Sequence, residues 1–208
     1  MLQFKMPAVM RCTSPSPNLS SEPGLTAQVA DVAAPLFNYQ DLIVLFAQTF
    51  AHCENTVLVK GESEPIYLPA DHQHPQHRII FAHGYFASAL HEIAHWCLAG
   101  KQRRLLEDYG YWYCPDGRNI EQQAEFERVE VKPQAIEWAF SVACGKTFRV
   151  STDNLNGAPV DVAGFTANVR QQALSYVSQG FPPRAQLFID ALVAFYATAK
   201  PTQRDFNV

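Results

Sequence analysis

His91 and His95, four residues apart, flank the string His91-Glu92-Ile93-Ala94-His95 inside the apolar segment Phe86 to Leu98. On a helix, residues at i and i+4 stand one turn apart on the same face, so both imidazoles can reach one metal ion. Glu92 projects beside them, close to any water on that ion. Three polar residues at fixed offsets in an otherwise apolar helix are a specific signal for a metal site with an adjacent carboxylate. Two histidines seldom hold a catalytic metal alone. A carboxylate usually completes the set and leaves positions open for water or substrate.

The segment Glu121 to Trp138 offers Glu121, Glu125, Glu127, Glu130 and Glu137 as the third ligand. Glu130 is preferred, because Val129, Val131, Ala135 and Trp138 mark the buried part of this helix and Pro133 exposes backbone toward a site. Glu127, one turn earlier, is the alternative ligand or a partner that orients a histidine. The competing structural use of Glu130 is a salt bridge to Lys132 or Arg128. Such a set serves two chemistries. With zinc, Glu92 is the base that activates water for hydrolysis; with Fe(II), two His and one carboxylate leave room for dioxygen and substrate. Spacing does not choose between them.

The elements that must position these residues follow from periodicity. Asp41 to His52 has apolar residues at helical spacing behind a cap at Asn38 or Asp41. Thr56 to Lys60, Ile66 to Leu68 and Arg78 to Ala82 read as short strands, and Gly84 separates the last from the metal helix. That helix is expected to end at Gly100, with strand-like Leu105 to Tyr113 after it. A long helix over Asn119 to Ala143, bent or restarted near Pro133, comes next. Phe148 to Ser151 is a possible strand. Helices over Val160 to Ser178 and Pro183 to Ala197 close the core around Leu174, Tyr176, Leu187, Ile189, Leu192 and Phe195.

Composition sets the outer bounds. The chain has 208 residues, 48% hydrophobic and 17% charged, which suits one globular domain. Five of its fourteen prolines and a Ser-rich run lie in residues 1–38, expected to be a flexible extension before a domain at 39–200 and a tail at 201–208. A net charge of -4 argues against a direct nucleic-acid or anionic-membrane binder, which needs clustered Lys and Arg. The short cluster Lys101-Gln102-Arg103-Arg104 reads as a helix-end cap. His72, His74 and His77 read as parts of a solvated loop, and His83 as a pocket or a core histidine. Cys12, Cys53, Cys97, Cys114 and Cys144 form no CxxC pair, so reduced thiols in a soluble, cytoplasmic protein are expected, without a membrane span.

Several longer strings occur together and in order: Glu64 to Ala70 (EPIYLPA), Phe81 to Gly84 (FAHG), His91 to Cys97 (HEIAHWC), Gly110 to Arg118 (GYWYCPDGR), Phe126-Glu127 with Val129 to Ala135 (VEVKPQA), and Asp153 to Leu155 (DNL). From about residue 40 to 198 the chain resembles the bacterial elongation factor P hydroxylase family. The resemblance implies an O2-dependent, non-haem oxidoreductase acting on a lysine of elongation factor P that already carries a β-lysyl group, the last step in maturing that factor. It implies a metal site at His91, His95 and Glu130, with Fe(II) as the ion and Zn possible in purified protein.

The fold expected is α+β: a small sheet, a zincin-like HExxH helix packed against a second long helix, and a helical C-terminal part. Hydroxylation needs no water-activating base, so Glu92 is expected to orient water, shuttle protons or steady a ligand. The modified lysine is long and cationic, so its channel should combine acidic groups with aromatic walls; Tyr85, Tyr111, Trp112, Tyr113, Asp116 and Glu137 are the candidates. No feature marks a 2-oxoglutarate site. Two other functions compete: a zinc peptidase with Glu92 as base, and a metal-stabilised module that binds a translation factor without chemistry.

Overall fold

The computed structural model describes residues 37–109 and 116–207. Its elements run α1 (Tyr39–Phe50), β1 (Thr56–Lys60), β2 (Ile66–Leu68), β3 (His77–Phe81), α2 (Phe86–Leu98), α3 (Ile120–Ala143), α4 (Val162–Gln179) and α5 (Pro183–Tyr196), with 3-10 turns at Arg103–Leu105 and Gln203–Asp205. This is an α+β fold. The sheet order is β1-β3-β2, with β1 parallel and β2 antiparallel to the central β3. The chain outside it at 1–36, where most of the expected extension falls, lies outside the described residues.

Local chemistry explains most boundaries. Asn38 caps α1 by accepting from the Gln40 N–H, and Asn119 and Gln122 form a reciprocal capping box at the start of α3. Between β3 and α2 the backbone turns sharply through left-handed His83 and Gly84. At Gly84 a side chain would also press on the Tyr39 ring, 3.1 Å from the position of a Cβ. His83 is exposed there, so it is neither a core histidine nor part of the metal cluster.

The core forms where helices cross. α2 buries Phe86, Ala89, Leu90, Ile93, Ala94, Trp96 and Cys97, spaced at three and four residues, and leaves His91, Glu92 and His95 on its remaining face. Phe46, Phe50 and Phe188 surround the Trp96 side of this helix, with Phe46 and Phe50 ring centroids 5.1 and 4.8 Å from Trp96. Phe206 near the C-terminus is docked as well. It is buried 5.3 Å from Trp138, and its carbonyl accepts from Arg170 Nε.

Several expectations are corrected. α2 ends at Leu98 rather than Gly100, and its last carbonyls are met by Arg184 of α5, whose Nη2 donates to the oxygens of Trp96, Cys97 and Ala99. A cation at the negative end of the helix replaces a glycine cap. Arg104 pairs with Glu54 at 2.7 Å and Arg103 with Asp108, so the basic cluster is largely tied into the surface around that helix end. The segment 105–109 holds a turn and a single bridge between Tyr67 and Asp108, not a strand, while 110–113 lie outside the described residues. Residues 148–151 form no strand either. α3 does not restart at Pro133; it continues as one helix of 24 residues, leaving the Val129 carbonyl without its usual donor. Leu187 and Phe195 are 53% and 50% exposed, and α5 instead buries Ala185, Phe188, Ile189 and Leu192.

Candidate metal centre

The centre forms where the polar face of α2 meets α3. His91 and His95 stand one turn apart on α2, and Glu130 comes from the middle of α3, 1% exposed. Their donor atoms lie within 4.8 Å of one another. His91 Nε2 is 3.0 Å from His95 Nε2 and 3.5 Å from Glu130 Oε2, and His95 Nε2 is 3.1 Å from Glu130 Oε1. Metal bonds of about 2.0–2.1 Å at near-tetrahedral or octahedral angles place donors about 2.9–3.4 Å apart. The three side chains therefore fit one ion by both distance and chemistry, with two neutral nitrogens and one anionic oxygen.

Charge in the cluster is concentrated. Burial disfavours the charged form of His91, but Glu130 and the hydrogen-bonded Glu137 outweigh it and hold the imidazole well above its ordinary value. Burial likewise disfavours the Glu130 carboxylate, yet His95 and His91 keep it ionised well below the usual carboxylate range. A metal ion would replace the protons that now balance this site.

Glu92 is pushed the other way. Burial raises its pKa, and the neighbouring Glu130 and Glu137 add to that while the two histidines oppose it. With His95 and Glu130 it lines a cavity of about 480 Å³ whose walls include Trp96, Tyr67 and Val129. Its carboxylate has no hydrogen bond or ion pair among the described residues, so it is free to meet something that enters.

The other candidates are placed as follows. Val129, expected to be buried, is 47% exposed and sits on the cavity wall. Glu127 is not in the cluster. Its carboxylate accepts from Gln123 Nε2 at 3.0 Å and lines a separate groove between α3 and α4. The salt bridges considered for Glu130 do not form, and Arg128 pairs with Glu125 instead. Tyr85 is 64% exposed at the cap of α2 and does not line the cavity. Asp116 accepts from the backbone and side-chain nitrogens of Asn156, which depresses its pKa and ties two loops together. Glu137 Oε2 accepts from His91 Nδ1 at 2.9 Å. Tyr111, Trp112 and Tyr113 lie outside the described residues.

Sequence reasoning missed Gln134. Its Nε2 lies 3.3 Å from Glu130 Oε2 and donates to the Ser151 carbonyl at 2.7 Å, while its Oε1 accepts from the Ser151 N–H at 3.0 Å. The signal was present as spacing. Glu130, Gln134 and Glu137 stand at i, i+4 and i+7, one face of α3.

Fold and site together define a class: a small α+β protein presenting two imidazoles and one carboxylate from two packed helices, beside a cavity with a free acid. The chain belongs to the elongation factor P hydroxylase family, whose model matches residues 45–206. It is similar to the elongation factor P lysine hydroxylase of Haemophilus influenzae, 54% identical over 159 residues that cover 76% of this chain and 89% of that protein.

Proposed function

We propose that this protein hydroxylates a lysine side chain of elongation factor P, the β-lysylated lysine, as the final step of that factor's maturation. The observation that carries the reading is the convergence of His91, His95 and Glu130 in a chain of this family. The similar Haemophilus protein is named for lysine hydroxylation of the same factor. We take Fe(II) as the ion and dioxygen as cosubstrate. One oxygen atom enters a C–H bond and the other leaves as water, with two electrons from a small-molecule reductant. Bound iron supplies the redox chemistry that dioxygen requires and side chains lack.

The chain's own residues supply position and exclusion. His91 and His95 present nitrogens from one rigid turn, and the buried Glu130 faces them. The cavity beside them has room for an extended lysyl arm, and the apolar edges of Trp96 and Val129 flank its aliphatic part. Glu92 is placed to exchange a proton or accept a hydrogen bond from an amine of the arm. A zincin-like arrangement of the two helices fits this use, with chemistry changed from hydrolysis to oxidation. A modifier of a translation factor would work in the cytoplasm, and no described helix is long and apolar enough to cross a membrane.

Intact mass spectrometry tests this. β-Lysylated elongation factor P incubated with the protein, Fe(II), a reductant and air should gain roughly 16 Da, one oxygen. The unmodified factor should gain nothing. Cleavage fragments, or binding with no mass change by iron-loaded protein, would overturn the hydroxylase reading.

A further inference from the structure

We infer that Glu137 is a positioning residue for the metal donor His91 rather than part of the substrate channel, working with Gln134 along one face of α3. The inference rests on the hydroxylase reading only where activity is measured. Imidazole has two nitrogens, and which one carries the lone pair depends on what the other one meets. Glu137 Oε2 takes the Nδ1–H of His91 at 2.9 Å, so Nε2 is left to face Glu130 and His95. A carboxylate in that place also makes the ring a stronger donor.

Three further observations separate this role from a substrate contact. Glu137 is not among the residues lining the cavity that Glu92, His95 and Glu130 share, and its side chain is 13% exposed. His95 has no partner of this kind among the described residues, so the orientation is specific to His91. Gln134 does the matching work for the carboxylate ligand. Because Ser151 N–H must meet the amide oxygen, the amide nitrogen is turned toward Glu130 and the Ser151 carbonyl. Position 130 supplies the ligand, 134 steadies it, and 137 reaches across to α2.

The experiment compares wild type, Glu137→Gln and Glu137→Ala by titrating Co(II) into metal-free protein and recording its visible spectrum, then measuring kcat and KM at saturating Fe(II). Glu137→Ala should weaken Co(II) binding about 10–100-fold and shift the spectrum. Glu137→Gln should fall between, since its Oε1 can still accept the hydrogen bond but carries no charge. In both, kcat should fall while KM for the factor stays as in wild type. Unchanged affinity and spectrum with a raised KM would overturn the inference and make Glu137 a substrate contact. If Glu137→Ala does not fold, the isosteric Gln variant decides. Should even wild type fail to hydroxylate the factor, the Co(II) titration still judges Glu137, so the two failures are distinguishable.

Discussion

Two buried polar clusters meet α3, and they handle charge in opposite ways. At its entrance Arg118 is fully buried, yet its donors meet fixed oxygens: Nε meets Gln123 Oε1 at 2.9 Å, and Nη2 meets the carbonyls of Thr152 and Asp153. Asn154 clamps its backbone from both sides, and Phe126 lies 3.9 Å below the guanidinium. These donors meet acceptors of the protein's own. Three turns along, His91, His95 and Glu130 bring two imidazoles and a carboxylate within 4.8 Å of one another, a group balanced only by a proton or an ion between them. A cluster whose donors meet the protein's own acceptors ties a loop to the helix; one balanced only by a proton or an ion is a candidate ligand site.

Substitutions in each cluster should therefore fail differently. The largest effect is expected at the centre: His91→Ala should lower hydroxylation about a thousandfold or more, with the circular dichroism spectrum of the metal-free protein kept. A variant that also unfolds would erase the contrast. Arg118→Met should do the reverse, costing about 3–5 kcal/mol in urea unfolding by stranding buried carbonyls, while the metal content of the folded fraction stays near one per chain.

The pH dependence sharpens the distinction, since only one cluster titrates against a ligand. Glu130 and Glu137 overcome the burial of His91 and raise its pKa from 6.5 to about 10. That pairing stabilises the metal-free fold fully below the unfolded value and is lost as pH rises through the folded one. Binding a metal must expel the proton, so apparent affinity should rise by up to about tenfold per pH unit between 6 and 9. Titration calorimetry in buffers of different ionisation enthalpy would count the protons; a flat profile would show that His91 is not a ligand. The smallest effect is expected at the border between the clusters. Glu127→Gln should change stability by no more than about 0.5 kcal/mol and leave metal affinity unaltered, because Glu127 answers to Gln123 rather than to the histidines. A large loss of metal would return Glu127 to the ligand set.

The centre was legible in the sequence wherever local rules governed it. His91 and His95 lie on one helical turn whatever the rest of the chain does, and β1 to β3 announced themselves as short apolar runs between turn residues. Glu130 required one further step, the assumption that α3 lies over α2, and that step holds. What stayed hidden depends on how the helices cross. Nothing local tells that Glu137 meets His91, or that Arg184, far along the chain, caps α2. On α5 the buried set Ala185, Phe188, Ile189 and Leu192 has the i, i+3, i+4, i+7 spacing, yet Leu187 and Phe195 are as apolar and point outward. Hydrophobicity alone does not choose between neighbours, while the spacing does. Phe148 to Ser151 has strand-like residues, yet Ser151 at its end pairs its backbone with the Gln134 side chain instead of a neighbouring strand.

The central claim, that His91, His95 and Glu130 hold the one ion on which hydroxylation depends, is tested most directly by stoichiometry. Metal-free protein would receive increasing equivalents of Fe(II) under a reductant and air, with the fraction of β-lysylated elongation factor P carrying one added oxygen read by intact mass. The account predicts a rise that breaks at one equivalent per chain in wild type and no rise in Glu130→Ala at any loading. Oxygen added without iron, or equally well by Glu130→Ala, would contradict it.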